Sequence, residues 1–290
     1  MPLLGQDLFG ALSKRVAILG PGLIGGSLAM ALRRSASYWR VSVWARREEA
    51  AQEAALLLPG CRVSSDIAAT VADCDLAVLC MSPHAIEAFG PDLKKILPPG
   101  AALTDAGSVK QKIVRSLEAF FGGRFIGAHP MAGSEQSGIR AAREDLYDGA
   151  VCILTPTASS ETEAYELVAR MWAAAGCDLR EMPPSTHDRV IARVSHLPHA
   201  AAAALVLAAV SADPRAAEFS GGGYRDSTRI ACGPEGLWAE ILLDNRDEVV
   251  AGIHDMQTAL GLLKSALAEG DRPALESFLS QARMLRARTQ

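Results

Sequence analysis

The stretch "RVAILGPGLIGGS", Arg15 to Ser27, decides the fold. Its apolar first half ends at Gly20 and a helical period of apolar residues begins after Gly22, which together predict a strand, a tight turn and a helix. The glycines have the spacing G-x-G-x-x-G, in which the first permits the turn, the second lets a pyrophosphate approach the backbone and the third allows close packing. The start of the helix favours the negative charge of a phosphate. The candidate dinucleotide-binding residues of this turn are Gly20, Gly22, Leu23, Ile24 and Gly25.

The segments that follow alternate between short apolar runs and helical periods, which is the pattern of parallel βαβ units. This context favours a dinucleotide site over a plain tight turn between a strand and a helix. Further strands are predicted at residues 40–45, 76–81, 101–107, 124–130, 150–156 and 178–182, and helices at 25–35, 48–58, 109–121 and 161–176. We therefore predict an α/β protein with an N-terminal Rossmann-type, doubly wound sheet.

The rest of the chain has helical periods without a strand pattern, so an all-helical C-terminal domain is expected to follow the sheet. The predicted division is a lead at residues 1–13, a dinucleotide-binding domain at 14–183 and a helical domain at 184–290. The longest uncharged run, Ala200 to Val210, is too short to cross a bilayer and is interpreted as a buried helix.

The composition predicts a globular protein without a general affinity for polyanions. Of its 290 residues 49% are hydrophobic, enough for an ample core, and the formal net charge is −4. That charge gives no general attraction to nucleic acid or to an anionic membrane. The six cysteines have no metal-binding spacing, so no metal site is predicted. They are interpreted as reduced thiols, and with no evident signal peptide they favour a cytoplasmic protein.

The end of the second predicted strand bears on the choice of nucleotide. An NAD-selective site usually places an acid there for the ribose hydroxyl, whereas this chain has Ala45, Arg46 and Arg47. No carboxylate would repel a 2'-phosphate, and the two guanidinium groups could pair with it. The same arginines could instead be solvated or stack on the adenine of NAD. The sequence leaves NAD and NADP open and favours NADP.

Two motifs, "CMSPH" and "TDAGSVK", follow later strands of the predicted sheet. Ligands of doubly wound sheets lie beyond the carboxyl ends of the strands. Ser82, Pro83 and Asp105 are therefore expected to edge the nicotinamide half of the cofactor, with Ser108 beside them. Ser108 could also cap the helix that follows, and the two roles are compatible.

The predicted long helix "HDRVIARVSHLPHAAAAALVLAAV" carries polar residues in an otherwise apolar run. Ser195 and His199 lie one turn apart and so share a face, and Pro198 is expected to bend the helix beside them. Polar side chains in a buried helix are costly unless they bind something. His196 points elsewhere and is expected to be supporting or structural.

Taken together and in order, the motifs "GPGLIGGS", "DAGSVK", "GAHPMAGSEQSG", "HDRVIARVSHLPH" and "YRDSTRIA" resemble the prephenate dehydrogenase family, which includes arogenate and cyclohexadienyl dehydrogenases. The resemblance runs from about Val16 into the C-terminal helices. It implies oxidative decarboxylation of prephenate or arogenate with hydride transfer to NAD or NADP. The implied products are 4-hydroxyphenylpyruvate or tyrosine, which places the reaction in tyrosine biosynthesis. It also implies a homodimer formed through the helical domain, which binds the substrate.

The resemblance further implies roles for individual residues. His129 matches the family histidine that bonds the ring hydroxyl and acts as the base, and Ser108 matches the serine that bonds the same hydroxyl. Arg229 matches the arginine on a substrate carboxylate, a task that suits a planar bidentate group. The implied substrate-binding residues are Ser195, His199, Arg229 and Glu135, the last at the mouth of the pocket.

Several residues near these candidates allow two interpretations from the sequence. Asp188 could favour the amino group of arogenate or could cap a helix. Arg225 and Asp226 are expected to form a structural ion pair, and Trp238 matches a pocket aromatic while core packing explains it equally well. The apolar run at 200–210 fits a dimer contact or a fully buried helix within one chain.

Two alternative functions remain open from the sequence. Another two-domain dehydrogenase of the hydroxyacid type would be expected to use a lysine base on the long helix, where this chain has a serine and histidines. A nicotinamide-binding protein without turnover is the second alternative. It is less favoured because the complete set of candidate site residues is present.

Overall fold

The computed structural model describes residues 13–35, 38–134 and 136–288. The strands are β1 (Lys14–Leu19), β2 (Trp39–Trp44), β3 (Arg62–Ser64), β4 (Leu76–Leu79), β5 (Ala102–Asp105), β6 (Phe125–Pro130), β7 (Val151–Thr155) and β8 (Asp178–Glu181). In the described residues they form one sheet in the order β3-β2-β1-β4-β5-β6-β7-β8. Neighbouring strands from β3 to β6 are parallel, β7 is antiparallel to β6, and β8 is parallel to β7.

Helices cover both faces of this sheet. They are α1 (Leu23–Arg34), α2 (Glu48–Leu57), α3 (Ile67–Val71), α4 (Pro83–Ile96), α5 (Gln111–Phe121) and α6 (Thr162–Ala174). One apolar core packs α1, α2 and α6 on the strands, and a second core packs α4 and α5. The strand order reverses at β1, between β2 and β4, so a crevice opens at the carboxyl ends of β1 and β4. The predicted Rossmann-type, doubly wound sheet is confirmed.

The chain after the sheet is helical. Its elements are α7 (Pro184–Ile191), a π-helical turn (Ala192–His196), α8 (Leu197–Ala212), α9 (Gly222–Thr228), α10 (Glu235–Asp244), α11 (Arg246–Glu269) and α12 (Arg272–Ala287). The π-helical turn ends two residues before Pro198, which has no N–H to donate to the preceding turn. This turn lies on the N-terminal side of the proline, and the bend expected at Pro198 stays a prediction. The predicted all-helical C-terminal region is confirmed.

Three short elements were not predicted from the sequence. β3 has three residues, α3 has five and α9 has seven, and such short segments do not complete a periodic pattern that could be recognised. The predicted lead at residues 1–13 lies outside the described residues except for Ser13.

The interpretation of residues 200–210 as a buried helix is wrong for the single chain. The buried residues of α8 are His199 and Ala202, while Leu205 is 43% exposed and Leu207 is 66% exposed. By length and composition alone, the helical run Pro184–Ala212 is also apolar enough to cross a membrane, with 17% of its most apolar window buried. Large apolar side chains of α8 are thus left uncovered in the single chain.

Candidate active site

A cavity of about 560 Å³ lies where the carboxyl ends of β1, β4, β5 and β6 meet the helical region. The helical region contributes one wall through the π-helical turn, the segment after α9, and α10. The predicted site residues on its wall are Gly22, Leu23, Ile24, Ser82, Ser108, His129, Ser195 and Arg229. Residues from both parts of the chain therefore line one cavity, at the place where doubly wound sheets bind their ligands.

The glycine turn is built to receive a phosphate. Gly20 has φ +112°, a conformation that suits glycine, and a Cβ on Gly20 or Gly25 would overlap backbone carbonyl oxygens. Those two glycines close the turn and do not line the cavity. Gly22 has open space where a Cβ would be, and it is the N-cap of α1 without a side-chain cap. The first N–H groups of α1 thus face a space that a pyrophosphate fits.

His129 lies at the carboxyl end of β6 and is 7% exposed on the cavity wall. Its Nδ1 is 2.9 Å from Nε2 of His187, so its own Nε2 is the nitrogen left for a ligand. Burial, together with the neighbouring His187 and Lys110, lowers the pKa of His129 well below the ordinary histidine value. The ring is therefore neutral near pH 7, the state in which it can accept a proton.

His187 connects His129 to Asp188 and was not predicted as a functional residue. Its Nδ1 is 2.8 Å from Oδ1 of Asp188, and its side chain is fully buried. The only signal in the sequence was an adjacent His–Asp pair at the start of a helix. That pair does not indicate that His129, 58 residues earlier, is the partner of His187.

Asp188 caps a helix, one of its two predicted roles, although the helix belongs to the other part of the chain. Its carboxylate accepts the backbone N–H groups of Lys110 at 2.8 Å and Gln111 at 2.9 Å, at the start of α5. Burial opposes ionisation, but the hydrogen bond from His187 and the two backbone N–H groups together lower the pKa of Asp188. Asp188 does not line the cavity, so the predicted contact with a substrate amino group is not supported by its position.

Ser108 lines the cavity and is not the N-cap of the helix that follows. α5 begins at Gln111 with Lys110 as its N-cap, and the carboxylate of Asp188 supplies the cap. The prediction of a capping role for Ser108 is therefore wrong, because the loop continues for two residues before the helix starts. Its hydroxyl is left for a ligand.

Asp105 was expected to edge the cofactor, but its side chain is fully buried. Its carboxylate forms an ion pair with the equally buried Lys110 and accepts the backbone N–H groups of Gly107 at 2.9 Å and Ala128 at 3.2 Å. The strand end was predicted correctly, but the side chain points into the protein. Asp105 thus supports the site from behind instead of contacting the cofactor.

Ser195 and His199 do not share the cavity wall. Ser195, in the π-helical turn, lines it, while His199 is 6% exposed and stacks on Trp238 at 3.5 Å between ring centroids. Trp238 does line the cavity, so the ring of His199 packs on the far side of a residue of the cavity wall and helps to hold it in place. His196 is fully buried, as expected for a supporting residue, and its Nδ1 is 3.1 Å from Nδ2 of Asn245.

The remaining candidates lie at the edge of the cavity or away from it. Arg229 lies on the wall, at the end of α9, whereas Glu135 lies outside the described residues. Arg225 and Asp226 are exposed, and the described chain shows no ion pair between them, so that prediction is wrong. Pro83 is buried behind the wall at the start of α4.

The second-strand residues match the sequence prediction in position. Ala45 is buried at the end of β2, and Arg46 and Arg47 are exposed beyond it. Neither arginine forms an ion pair within the described ranges, and both side chains are exposed to solvent. They do not line the described cavity, because the adenosine half of a dinucleotide would extend along the sheet edge away from it.

The arrangement combines a phosphate-binding turn, a neutral histidine, a hydroxyl group and a guanidinium group around one space. Such a set can bind a dinucleotide, accept a proton from a hydroxyl group and hold a carboxylate. The apolar side chains of Leu237, Trp238 and Ile241 on the helical wall suit a carbon ring between these groups.

Comparison with known families gives two matches that together span most of the chain. A family model described as the prephenate dehydrogenase nucleotide-binding domain matches residues 28–180. A second model, described as the prephenate dehydrogenase dimerization domain, matches residues 183–281.

Individual relatives agree with these matches. A cyclohexadienyl dehydrogenase of Zymomonas mobilis is 30% identical over 278 residues, covering 94% of this chain and 95% of the relative. The crystal structure of Aquifex aeolicus prephenate dehydrogenase with hydroxyphenyl propionate and NAD+ has a TM-score of 0.88 at 32% identity, covering 96% of this chain and 98% of that one. Synechocystis arogenate dehydrogenase has a TM-score of 0.81 at 27% identity, covering 95% and 100%. This chain belongs to the prephenate dehydrogenase family.

Proposed function

We propose that the protein oxidises the ring carbinol of prephenate or arogenate, with loss of the ring carboxylate as carbon dioxide and hydride transfer to a nicotinamide dinucleotide. The product is 4-hydroxyphenylpyruvate or tyrosine. One observation carries this proposal: His129, Ser108 and Arg229 face one cavity beside the glycine turn. Family membership and the relatives with these activities support it.

The reaction assigns a task to each of these groups. Nε2 of His129 accepts the proton of the ring hydroxyl as the carbinol becomes a carbonyl, and the hydroxyl of Ser108 bonds the same oxygen. A bound nicotinamide supplies the hydride acceptor. Arg229 holds a substrate carboxylate, and Ser195 adds a hydrogen bond from the opposite wall. Trp238 covers the substrate ring and excludes water.

The deciding experiment is an assay matrix with purified protein. Prephenate or arogenate is combined with NAD or NADP, and formation of the reduced nicotinamide is followed by absorbance. We expect turnover with at least one combination, and the ratio of kcat/KM values assigns substrate and cofactor. Nucleotide binding without turnover in all four wells would contradict the proposal and favour a non-catalytic binding protein.

For the nucleotide itself, we propose binding at the glycine turn with the adenosine half near Arg46 and Arg47. The expectation of NADP rests on these exposed arginines and on the alanine in place of an acid. The Aquifex aeolicus relative was solved with NAD+, which gives that expectation no support. The cofactor rows of the matrix decide between the two nucleotides.

Arg229→Ala is expected to raise KM for the substrate by roughly 10- to 100-fold, which corresponds to one charge-assisted hydrogen bond of about 1.5–3 kcal/mol. The physical reason is the loss of a bidentate donor pair for a carboxylate. Steady-state kinetics measure the change, and Arg225→Ala, which alters an exposed arginine of α9 outside the cavity, is the matched control. If KM rose with Arg225→Ala and not with Arg229→Ala, the carboxylate would belong to Arg225.

We propose that two copies of the chain pair through the helical region, which we place at residues 184–290 after a dinucleotide-binding domain at 14–183. The second family match is named a dimerization domain. Large apolar side chains of this region are exposed in the single chain, among them Val194 at 62%, Leu207 at 66% and Val250 at 63%. Large apolar side chains left exposed in one region favour an interaction site there.

Sedimentation is expected to give twice the chain mass of 30.6 kDa. Leu207→Glu would place a charge in the interface and is expected to shift the protein towards the single-chain mass. Leu56→Glu alters a side chain that is 84% exposed in α2, and it should leave the mass unchanged. A wild-type protein that sediments at the single-chain mass, or that partitions into lipid vesicles, would contradict the homodimer.

A further inference from the structure

The buried pair of His187 and Asp188 lies behind His129, outside the cavity wall. Nε2 of His187 is 2.9 Å from Nδ1 of His129, and Nδ1 of His187 is 2.8 Å from Oδ1 of Asp188. The three side chains are between 0% and 7% exposed. They form an unbroken hydrogen-bonded chain from a carboxylate to the ring that faces the cavity.

The donor and acceptor of each of these hydrogen bonds follow from the carboxylate of Asp188 at one end of the chain. An ionised carboxylate can only accept, so Nδ1 of His187 carries the hydrogen. In neutral His187, Nε2 is then a bare acceptor, and Nδ1 of His129 must donate to it. Nε2 of His129 is left without a hydrogen, which is the form that a base requires.

We propose that His187 and Asp188 are positioning residues that hold His129 in the tautomer whose Nε2 accepts the substrate hydroxyl proton. The inference rests on the proposed function, because it needs His129 to act as the base. A ring with this orientation and tautomer is ready for proton transfer without rearrangement, as in other sites where a carboxylate orients a histidine.

The same carboxylate also sets the position of Ser108. Asp188 accepts the N–H groups of Lys110 and Gln111, two and three residues after Ser108 in the chain. One side chain of the helical region thus fixes both polar groups that meet the substrate hydroxyl. The arrangement is complete only where the helical region docks on the sheet, so docking of the two parts assembles the base.

The charged groups around His129 show which of them balances the positive charge that its ring gains during the reaction. The groups that face it are His187 and His196 from the helical run and Lys110 after β5, with Asp188 behind His187 and Asp105 paired to Lys110. Lys110 opposes a positive charge on His129. Of the two carboxylates, Asp105 is committed to Lys110, which leaves Asp188 to compensate the proton that His129 gains.

Two variants of His187 separate positioning from packing. His187→Phe fills the space but removes the acceptor, and His187→Gln supplies an Oε1 that can accept the N–H of His129. His187→Phe is expected to lower kcat by roughly 10- to 100-fold, the usual cost of losing a group that orients a histidine, with a smaller change in KM. The acid limb of its kcat/KM profile should also move to lower pH, because Asp188 no longer stabilises protonated His129. His187→Gln should recover part of kcat.

A spectroscopic measurement tests the tautomer without any substrate. Protein labelled with ¹⁵N-histidine reports by NMR which ring nitrogen bears the hydrogen, and His129→Asn identifies the signal of His129. We expect the Nδ1–H form in the wild type and in His187→Gln, and its loss in His187→Phe. An Nε2–H form in the wild type, or equal kcat losses in both variants, would overturn the proposal. Absence of turnover in the assay matrix would instead count against the proposed function.

Discussion

Replacing His129 with asparagine is expected to lower kcat by about two to four orders of magnitude, the usual weight of a general base, while substrate binding is retained. Asparagine can still donate and accept hydrogen bonds in the cavity, but it cannot take up the hydroxyl proton near pH 7. The effect should therefore appear in kcat far more than in KM. Steady-state kinetics with the preferred substrate and cofactor measure both.

The pH dependence gives this prediction a second readout. Burial lowers the pKa of His129 below its ordinary value of 6.5, so the ring stays neutral as the pH falls to that value and gains a proton only below it. The acid limb of the wild-type kcat/KM profile should accordingly lie well below pH 6.5, and this limb should be missing in His129→Asn.

A matched control is His254→Asn, which alters an exposed histidine of α11. It should keep both kcat and the acid limb. A variant His129→Asn with wild-type kcat would remove the base from this residue, and an acid limb that persists in the variant would assign it to another group.

The parts of this site that the sequence could predict are those governed by local chemistry. The glycine turn requires backbone freedom at Gly20 and open space at Gly22, and both needs are met by residue type alone. His129 was placed by the strand that ends beside it, since strand ends of a parallel sheet meet at one edge. Apolar periodicity also predicted the long helices after residue 184, namely the run that contains α8 and then α10, α11 and α12, because each is long enough to repeat its pattern.

The parts that could not be predicted depend on which side chains meet across the fold. His187 and His199 are both histidines of the same helical run, yet one bonds the proposed base and the other stacks on Trp238. No local pattern distinguishes them, because their partners come from distant segments. The same is true of Asp105. Its place at the end of a strand was predicted correctly, but the direction of its side chain was not.

Asp105→Asn is expected to lower the free energy of unfolding by about 3–5 kcal/mol, the cost of leaving a buried charge without its partner. Both Asp105 and Lys110 have 0% exposed side chains, so the ammonium group of Lys110 would remain in the core without a counter-charge or a path to water. The amide also bears two hydrogens, and it cannot replace both carboxylate oxygens that accept the N–H groups of Gly107 and Ala128. Urea unfolding of the wild type and the variant measures the difference.

The double variant Asp105→Asn with Lys110→Met distinguishes the unpaired charge from a general packing defect. Methionine keeps the apolar stem of the lysine without the ammonium group, so the double variant should be more stable than Asp105→Asn alone. The exposed pair of Arg272 and Glu276 in α12 is the surface control, and Glu276→Gln should cost less than about 1 kcal/mol. If Asp105→Asn cost no more than Glu276→Gln, or if Lys110→Met gave no recovery, the buried pair would not be what holds this loop. Because Ala128 directly precedes His129, the same bonds anchor the end of β6, and a destabilised Asp105→Asn protein should also lose kcat at temperatures where it remains folded.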